Sequence, residues 1–156
     1  MTLNKTPEEL AKFLSSEKAK NVAADYEDAI IIAGDTFIIH KGSMIGKPKD
    51  VTEAIKMLKE FSGKKIKVIS GLAIIDTGNN KIINDYGVGF VNFRNLSNEE
   101  IEKYAATPES LRSAGAFTIA GRGCILAAST EGDFYSINSM PLVKLYLGLK
   151  KWGLMF

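Results

Sequence analysis

Two long apolar segments joined by a short turn constrain the fold of this chain more than any other feature. Residues 65–76 and 82–93 are both rich in β-branched and other apolar side chains. Between them, Gly78-Asn79-Asn80 supplies residues that readily adopt the backbone conformations of a tight hairpin turn. The pattern predicts two consecutive antiparallel strands, so a β-sheet must form the centre of the fold.

Helices are predicted both before and after this hairpin along the chain. An N-cap residue followed by glutamate at the third helical position, the capping-box spacing, marks three helix starts: Thr6 with Glu9, Asp50 with Glu53, and Ser97 with Glu100. We expect the first helix to reach Ala24, the second to end before Gly63, and the third to end before Pro108. Residues 142–149 predict a closing helix.

The segment that precedes Gly34 and Asp35 has a different pattern. Residues 29–33 form a continuous apolar run that is too short for a helix, which predicts a strand buried on both faces. Residues 37–40 predict a second short extended run, and residues 125–128 another strand, whereas residues 113–123 and 131–141 predict loops. Together the elements predict one domain over residues 1–156, of the α/β or mixed α+β class, with a mixed β-sheet flanked by helices.

Composition limits the chemistry that is open to the chain. Twenty Lys and Arg against eighteen Asp and Glu give a net charge of +2, which does not predict a nucleic-acid polymer as partner, so any phosphate affinity must be local. One Cys and one His exclude an intrachain disulfide and a multi-histidine metal site. A metal site would therefore use carboxylates and a hard divalent cation, Mg²⁺ or Mn²⁺.

The same composition bears on the expected location of the protein. A lone thiol fits a reducing compartment, and the polar start MTLNKTPEEL lacks the apolar segment of a signal peptide. The apolar runs are far shorter than the roughly 20 residues that span a bilayer. We expect a cytoplasmic protein with no membrane partner.

Asp35 is the first candidate for a functional residue, because open α/β sheets bind ligands where strands end. Gly34 before it would let a ligand approach the backbone closely. A second interpretation stays open, in which Asp35 only caps a turn with Thr36. Lys47, in the loop Gly46-Lys47-Pro48 before a helix, is either a phosphate ligand or a solvated lysine.

Three further basic side chains come into question as contacts to a ligand. Lys18 and Lys20 lie two residues apart on a predicted helix, so they point to different faces and at most one of them is expected to serve a site. Arg122, in the glycine-rich segment of residues 113–123, is a candidate anion contact, with an exposed surface arginine as the alternative. That segment lacks the glycine spacings of a Walker loop or a dinucleotide fingerprint.

The ordered set of motifs resembles the Maf family of nucleoside triphosphate pyrophosphatases, from about Pro7 to the C-terminus. The stretches that carry the resemblance are EKAKNVA, IIIAGDT, IGKPKD, EAIKMLKEFSG, VISGLAIID, LSNEEIEKY, SAGAFTIAGRG, EGDFYSI and MPLVKLY. The resemblance implies cytoplasmic enzymes of mixed α/β fold, commonly dimeric. Such enzymes hydrolyse a nucleoside triphosphate to the monophosphate and pyrophosphate with a divalent cation.

The resemblance also implies roles for individual residues. Asp35 matches the acidic residue assigned as proton acceptor, and it would lie beside the metal. Lys18 and Lys47 match lysines near the phosphates. Thr36 matches a specificity position and favours dTTP, UTP or modified pyrimidine nucleotides as substrates.

The sequence departs from the family pattern in two places. The family begins with a strand and a phosphate-binding loop, S-x-S-P-R-R, that have no counterpart here, and this absence predicts unpaired backbone groups in the sheet. Ser113 and Ala120 occupy positions that are usually Lys and Gln in the family. Two alternatives therefore stay open: a degenerate paralogue that binds nucleotide or a protein partner without turnover, and a fragment or a misassigned start.

Overall fold

An antiparallel sheet forms the centre of the molecule, described by a computed structural model for residues 5–154. Its strands are β1 (Ile30–His40), β2 (Ser43–Ile45), β3 (Lys65–Asp76), β4 (Lys81–Phe93) and β5 (Ala127–Gly132), in the spatial order β2-β1-β3-β4-β5. The hairpin of β3 and β4 is confirmed, as is the combination of helices with a sheet. The expected mixed sheet is corrected, because every strand pairing in these residues is antiparallel. The ends of the predicted domain, residues 1–4 and 155–156, lie outside the described part.

Helices pack on both faces of this sheet. They are α1 (Pro7–Ala23), α2 (Val51–Phe61), α3 (Asn98–Ala105), α4 (Pro108–Arg112), α5 (Phe134–Ile137) and α6 (Leu142–Lys151). The first three and α6 confirm the predicted helices. The short helices α4 and α5 and the strand β2 are absent from the sequence prediction. For α4 the reason is that Pro108 begins this helix as its first residue and does not only end α3.

The strand β1 corrects the reading of two short runs separated by Gly34 and Asp35. Every residue from Ile30 to Ile39 has a partner in β3, so the strand continues through Asp35 and ends at His40. The expected burial on both faces is also wrong, because Ile32 is 42% exposed. Asp35 therefore lies in the middle of a strand and not at its end.

The outer edge of β1 is open over most of its length. Only residues Ile38–His40 pair with β2, so within residues 5–154 the backbone of residues 30–37 has a strand partner on one side alone. This agrees with the unpaired sheet edge that the sequence predicts. An open edge lets both faces of β1 contribute side chains to one cavity.

The two faces of the sheet are covered differently. On one face, α1 packs through the fully buried Ala11 and Ala19 against Phe37, Ile69 and Ala73. On the other face, α2 and α3 cover the largest apolar core, which includes Leu58, Phe61, Ile66, Val91, Phe93 and Ile101. None of the helices within residues 5–154 has the length and apolar character needed to cross a membrane.

Candidate functional site

A pocket of about 330 Å³ opens at the free edge of β1. Four of the residues singled out in the sequence line it together: Lys18, Asp35, Thr36 and Lys47. The remaining wall comes from Gly34, Ile38 and Val68 of the sheet, from residues between Arg112 and Thr118, from the end of α5 and from Ser139. The volume falls in the range of small-molecule sites.

Lys18 and Asp35 meet across the face of the sheet that α1 covers. The Lys18 Nζ donates a hydrogen bond to Asp35 Oδ1, and the two side chains are 58% and 19% exposed. Gly71 pairs with Asp35 in the neighbouring strand, and a Cβ at Gly71 would lie 2.6 Å from the carbonyl carbon of Ala11. Because Gly71 has no side chain, α1 lies close enough to the sheet for Lys18 to reach Asp35.

The second lysine of α1 points elsewhere. Lys20 Nζ donates to Glu17 Oε1 at 3.0 Å, and Lys20 does not line the pocket. The expectation that Lys18 and Lys20 address different surroundings is confirmed.

Lys47 and Arg112 add two more cations to the pocket wall. Neither side chain forms an ion pair or hydrogen bond with another residue of the described part of the chain. With Lys18 and Asp35, they give three cations and one carboxylate around one cavity. The pocket thus carries a net positive charge, which suits a ligand with more than one negative charge.

Arg112 is a site residue that the sequence analysis missed. It is the last residue of α4, so its position depended on a helix that was not predicted. The structure places the predicted Arg122 outside the pocket wall, with an exposed side chain and its backbone N–H bonded to Glu109 Oε1 at 3.1 Å. Arg122 therefore does not meet the other candidates.

Hydrogen bonds from Thr118 to Tyr104 and from Arg122 to Glu109 hold the glycine-rich segment in place. The Tyr104 hydroxyl donates to Glu109 Oε2 at 3.4 Å and accepts the backbone N–H of Thr118 at 3.2 Å. Burial raises the pKa of Tyr104 to about 12, so the hydroxyl keeps its proton. These bonds fix Phe117 and Thr118 as part of the pocket wall.

One side of the pocket is apolar. Ile38, Val68, Phe117 and Ile137 all line it, and Thr36 is the polar residue of β1 that lines the pocket from the same sheet face as Ile38. The pocket therefore combines an apolar wall with a cationic rim. Such a surface is complementary to a flat ring that carries a polyanionic group.

The pocket has few of the ligands that a metal site requires. Within residues 5–154, no group of three or more His, Cys, Asp or Glu side chains is placed to hold a metal ion. Asp35 supplies one carboxylate at the pocket. Mg²⁺ is commonly held by one or two carboxylates together with substrate phosphates and water, so this donor set fits a cation that binds along with a phosphate ligand.

Fold and pocket together define a class: an α+β protein whose sheet edge carries a pocket with three cations, one carboxylate and an apolar wall. The sequence profile of the Maf-like protein family matches residues 2–152, and the chain belongs to that family.

Its relatives include proteins named dTTP/UTP pyrophosphatase. The one from Dictyoglomus turgidum is 39% identical over 149 residues, which cover 96% of this chain and 77% of the relative. The one from Methanococcoides burtonii is 39% identical over 147 residues, covering 94% and 75%. The one from Clostridium novyi is 43% identical over 134 residues, covering 85% and 70%.

Proposed function

We propose that this protein is a nucleoside triphosphate pyrophosphatase that hydrolyses dTTP, UTP or modified pyrimidine nucleotides to the monophosphate and pyrophosphate. The observation that carries the proposal is the grouping of Lys18, Lys47 and Arg112 with one carboxylate beside an apolar wall. The names of the relatives support the same reaction and the same bases.

The cations account for binding of the triphosphate. Lys18, Lys47 and Arg112 all line the pocket, and in this proposal each of them contacts phosphate oxygens. The planar guanidinium of Arg112 can bind two phosphate oxygens at once, whereas the lysines act as point charges. The same charges stabilise the negative charge that builds up on the leaving pyrophosphate.

Asp35 supplies the base. Its carboxylate accepts a proton from a water molecule as the water oxygen forms a bond to the α-phosphorus and the bond from that phosphorus to the bridging oxygen breaks. The pyrophosphate then leaves with the electron pair of the broken bond. Lys18 holds the Asp35 side chain in place through their hydrogen bond.

A divalent cation, Mg²⁺ or Mn²⁺, is part of the proposal. Asp35 and the phosphate oxygens would hold it, and it would offset the negative charge of the phosphates. The cytoplasmic location and the homodimer implied by the family resemblance also remain proposals, to be tested by cell fractionation and by light scattering.

The test measures pyrophosphate release from a panel of canonical and modified triphosphates with Mg²⁺, Mn²⁺ or Co²⁺. We expect Asp35→Asn to lower turnover by roughly 10² to 10⁴, the usual contribution of a positioned base. Asp25→Asn is the matched control, because it removes an exposed aspartate that does not line the pocket. If the wild-type protein produces no monophosphate with any metal, the enzymatic proposal is wrong, and calorimetry then decides whether it is a nucleotide-binding paralogue.

A further inference from the structure

A buried serine, Ser70, contacts Thr36, the polar residue next to the apolar wall of the pocket. Ser70 in β3 is fully buried and pairs with Thr36 in β1. Its Oγ lies 2.6 Å from Thr36 Oγ1 and 2.7 Å from the carbonyl oxygen of Ser136. Ser70 does not line the pocket, so it can act on a ligand only through Thr36.

The distances determine which way the hydroxyl protons point. Two oxygens 2.7 Å apart repel each other unless a proton lies between them, and the carbonyl oxygen of Ser136 has none to give. The Ser70 proton must therefore point to Ser136. Since a hydroxyl has one proton, the short contact between Ser70 and Thr36 must use the proton of Thr36.

This arrangement leaves Thr36 as an acceptor towards the pocket. The carbonyl oxygen of Ser139 is a competing partner for the Thr36 proton, but it is 3.2 Å away, against 2.6 Å for Ser70. With its proton committed to Ser70, Thr36 Oγ1 can offer only lone pairs to a ligand.

The fold holds Ser136 in this position. Gly87, which pairs with Ser70 from the other side, has no side chain, and a Cβ there would collide with Ser136 Oγ. The glycine lets α5 lie directly on the sheet. Asp133 caps α5 and accepts a hydrogen bond from Ser136 Oγ at 2.6 Å, so the helix cap and the close packing on Gly87 together hold the Ser136 carbonyl in place.

We propose that Ser70 is a positioning residue for base selection: it fixes Thr36 as a hydrogen-bond acceptor, so that the pocket favours a pyrimidine with a ring N–H donor. Uracil and thymine carry a proton on ring nitrogen N3, whereas the same atom in cytosine is an acceptor. The inference rests on the proposed function and adds the group that separates dTTP and UTP from dCTP.

The test compares kcat and KM for dTTP and dCTP in the wild type, Ser70→Ala, Thr36→Val and the double variant. We expect Ser70→Ala to lower the preference for dTTP over dCTP by roughly tenfold, mainly through KM, because Thr36 can then turn its proton towards the pocket. In the Thr36→Val background, Ser70→Ala is expected to change the preference no further. Both substrates are measured on one preparation, so a reduced folded fraction cancels in the ratio.

Ser110→Ala is the matched control. Ser110 is also fully buried, and its Oγ donates to the carbonyl oxygen of Ala105 at 2.6 Å, outside the pocket wall. We expect it to lower stability without changing the ratio of the two substrates. Ser70→Thr, which keeps the hydroxyl, should retain the preference.

The possible outcomes separate this inference from the proposed function. Any one of three results would overturn the inference alone. They are an active wild type that does not prefer dTTP, a Ser70→Ala variant that keeps the preference, and an equal effect of Ser70→Ala on the preference with and without Thr36. If the wild type binds nucleotide without turnover, the same cycle is measured on Kd, with the same criteria. If it neither turns over nor binds any nucleotide, the inference and the proposed function both fail.

Discussion

Replacing Gly71 by alanine tests how α1 is held against the sheet. A Cβ at this position would lie 2.6 Å from the carbonyl carbon of Ala11 and 2.8 Å from Ser15 Oγ, and the carbonyl oxygen of Ala11 is nearer still. Ordinary contacts of a Cβ are 3.4–4 Å. Because the obstacle is backbone, no rotamer change can relieve it, and α1 must move outwards by about 1 Å.

The size of the effect follows from the packing that this movement loosens. Ala11 and Ala19 are fully buried between α1 and the sheet, so the shift opens a gap along the whole interface. Overpacking of this kind costs about 2–3 kcal/mol of unfolding free energy. For a domain of this size, that lowers Tm by about 4–12 °C. Lys18 moves away from Asp35 with the helix, so kcat/KM for dTTP should fall as well.

Urea unfolding followed by far-UV circular dichroism measures the change as a lower midpoint with an unchanged slope. The control is Gly46→Ala, since a Cβ at Gly46 would meet no atom within 4 Å. Its stability should stay at or slightly above the wild-type value. A Gly71→Ala protein as stable as the wild type would show that α1 does not depend on close contact at Gly71.

Two further predictions concern the stability of the fold, and the second also tests whether the core affects the pocket. Hydrogen bonds from Lys41, His40 and Lys64 hold the pKa of Glu60 below its ordinary value of 4.5, so the charged form contributes stability above about pH 4.5 and loses it as pH falls through the lowered pKa. Glu60→Gln should therefore have a lower Tm than the wild type at pH 6. The difference in Tm should shrink as the pH is lowered, and parallel Tm curves of the two proteins from pH 6 to pH 2 would contradict this. Leu58→Ala, at a fully buried position outside the pocket wall, should cost about 2–5 kcal/mol in urea unfolding and leave KM for dTTP unchanged, and a changed KM would show that the core and the pocket are coupled.

The interpretation of Asp35 shows where reasoning from sequence succeeds and where it fails. The sequence predicts a strand end at Asp35 and therefore a ligand site, and the structure does place Asp35 at a pocket. The reason is different: β1 continues through Asp35, held by its pairing with residues of β3 far along the chain, and within residues 5–154 the pocket lies at the edge of β1 that has no strand partner over residues 30–37. Gly34 and Thr36 look like turn residues only when that pairing partner is unknown.

Arg112 and Ser70 show a second limit. Arg112 belongs to the short helix α4, which begins at Pro108. A proline can end one helix or begin the next, so the local sequence does not show which of the two happens here. Ser70 is one polar residue within an apolar strand, and nothing nearby in the chain indicates that its hydroxyl contacts Thr36 on the neighbouring strand. The roles expected for Lys18, Asp35, Thr36 and Lys47 came from the family resemblance, and the structure adds that all four line one cavity.

The amino-acid sequence by itself determined the hairpin of β3 and β4 and the starts of α1, α2 and α3. Turns and helix caps depend on contacts between residues a few positions apart, so their signals are complete within a short stretch of chain. Only the tertiary structure decided the length of β1, the charge of the pocket and the contact between Ser70 and Thr36. Each of these depends on contacts between residues dozens of positions apart, which form only when the whole sheet and its helices are in place.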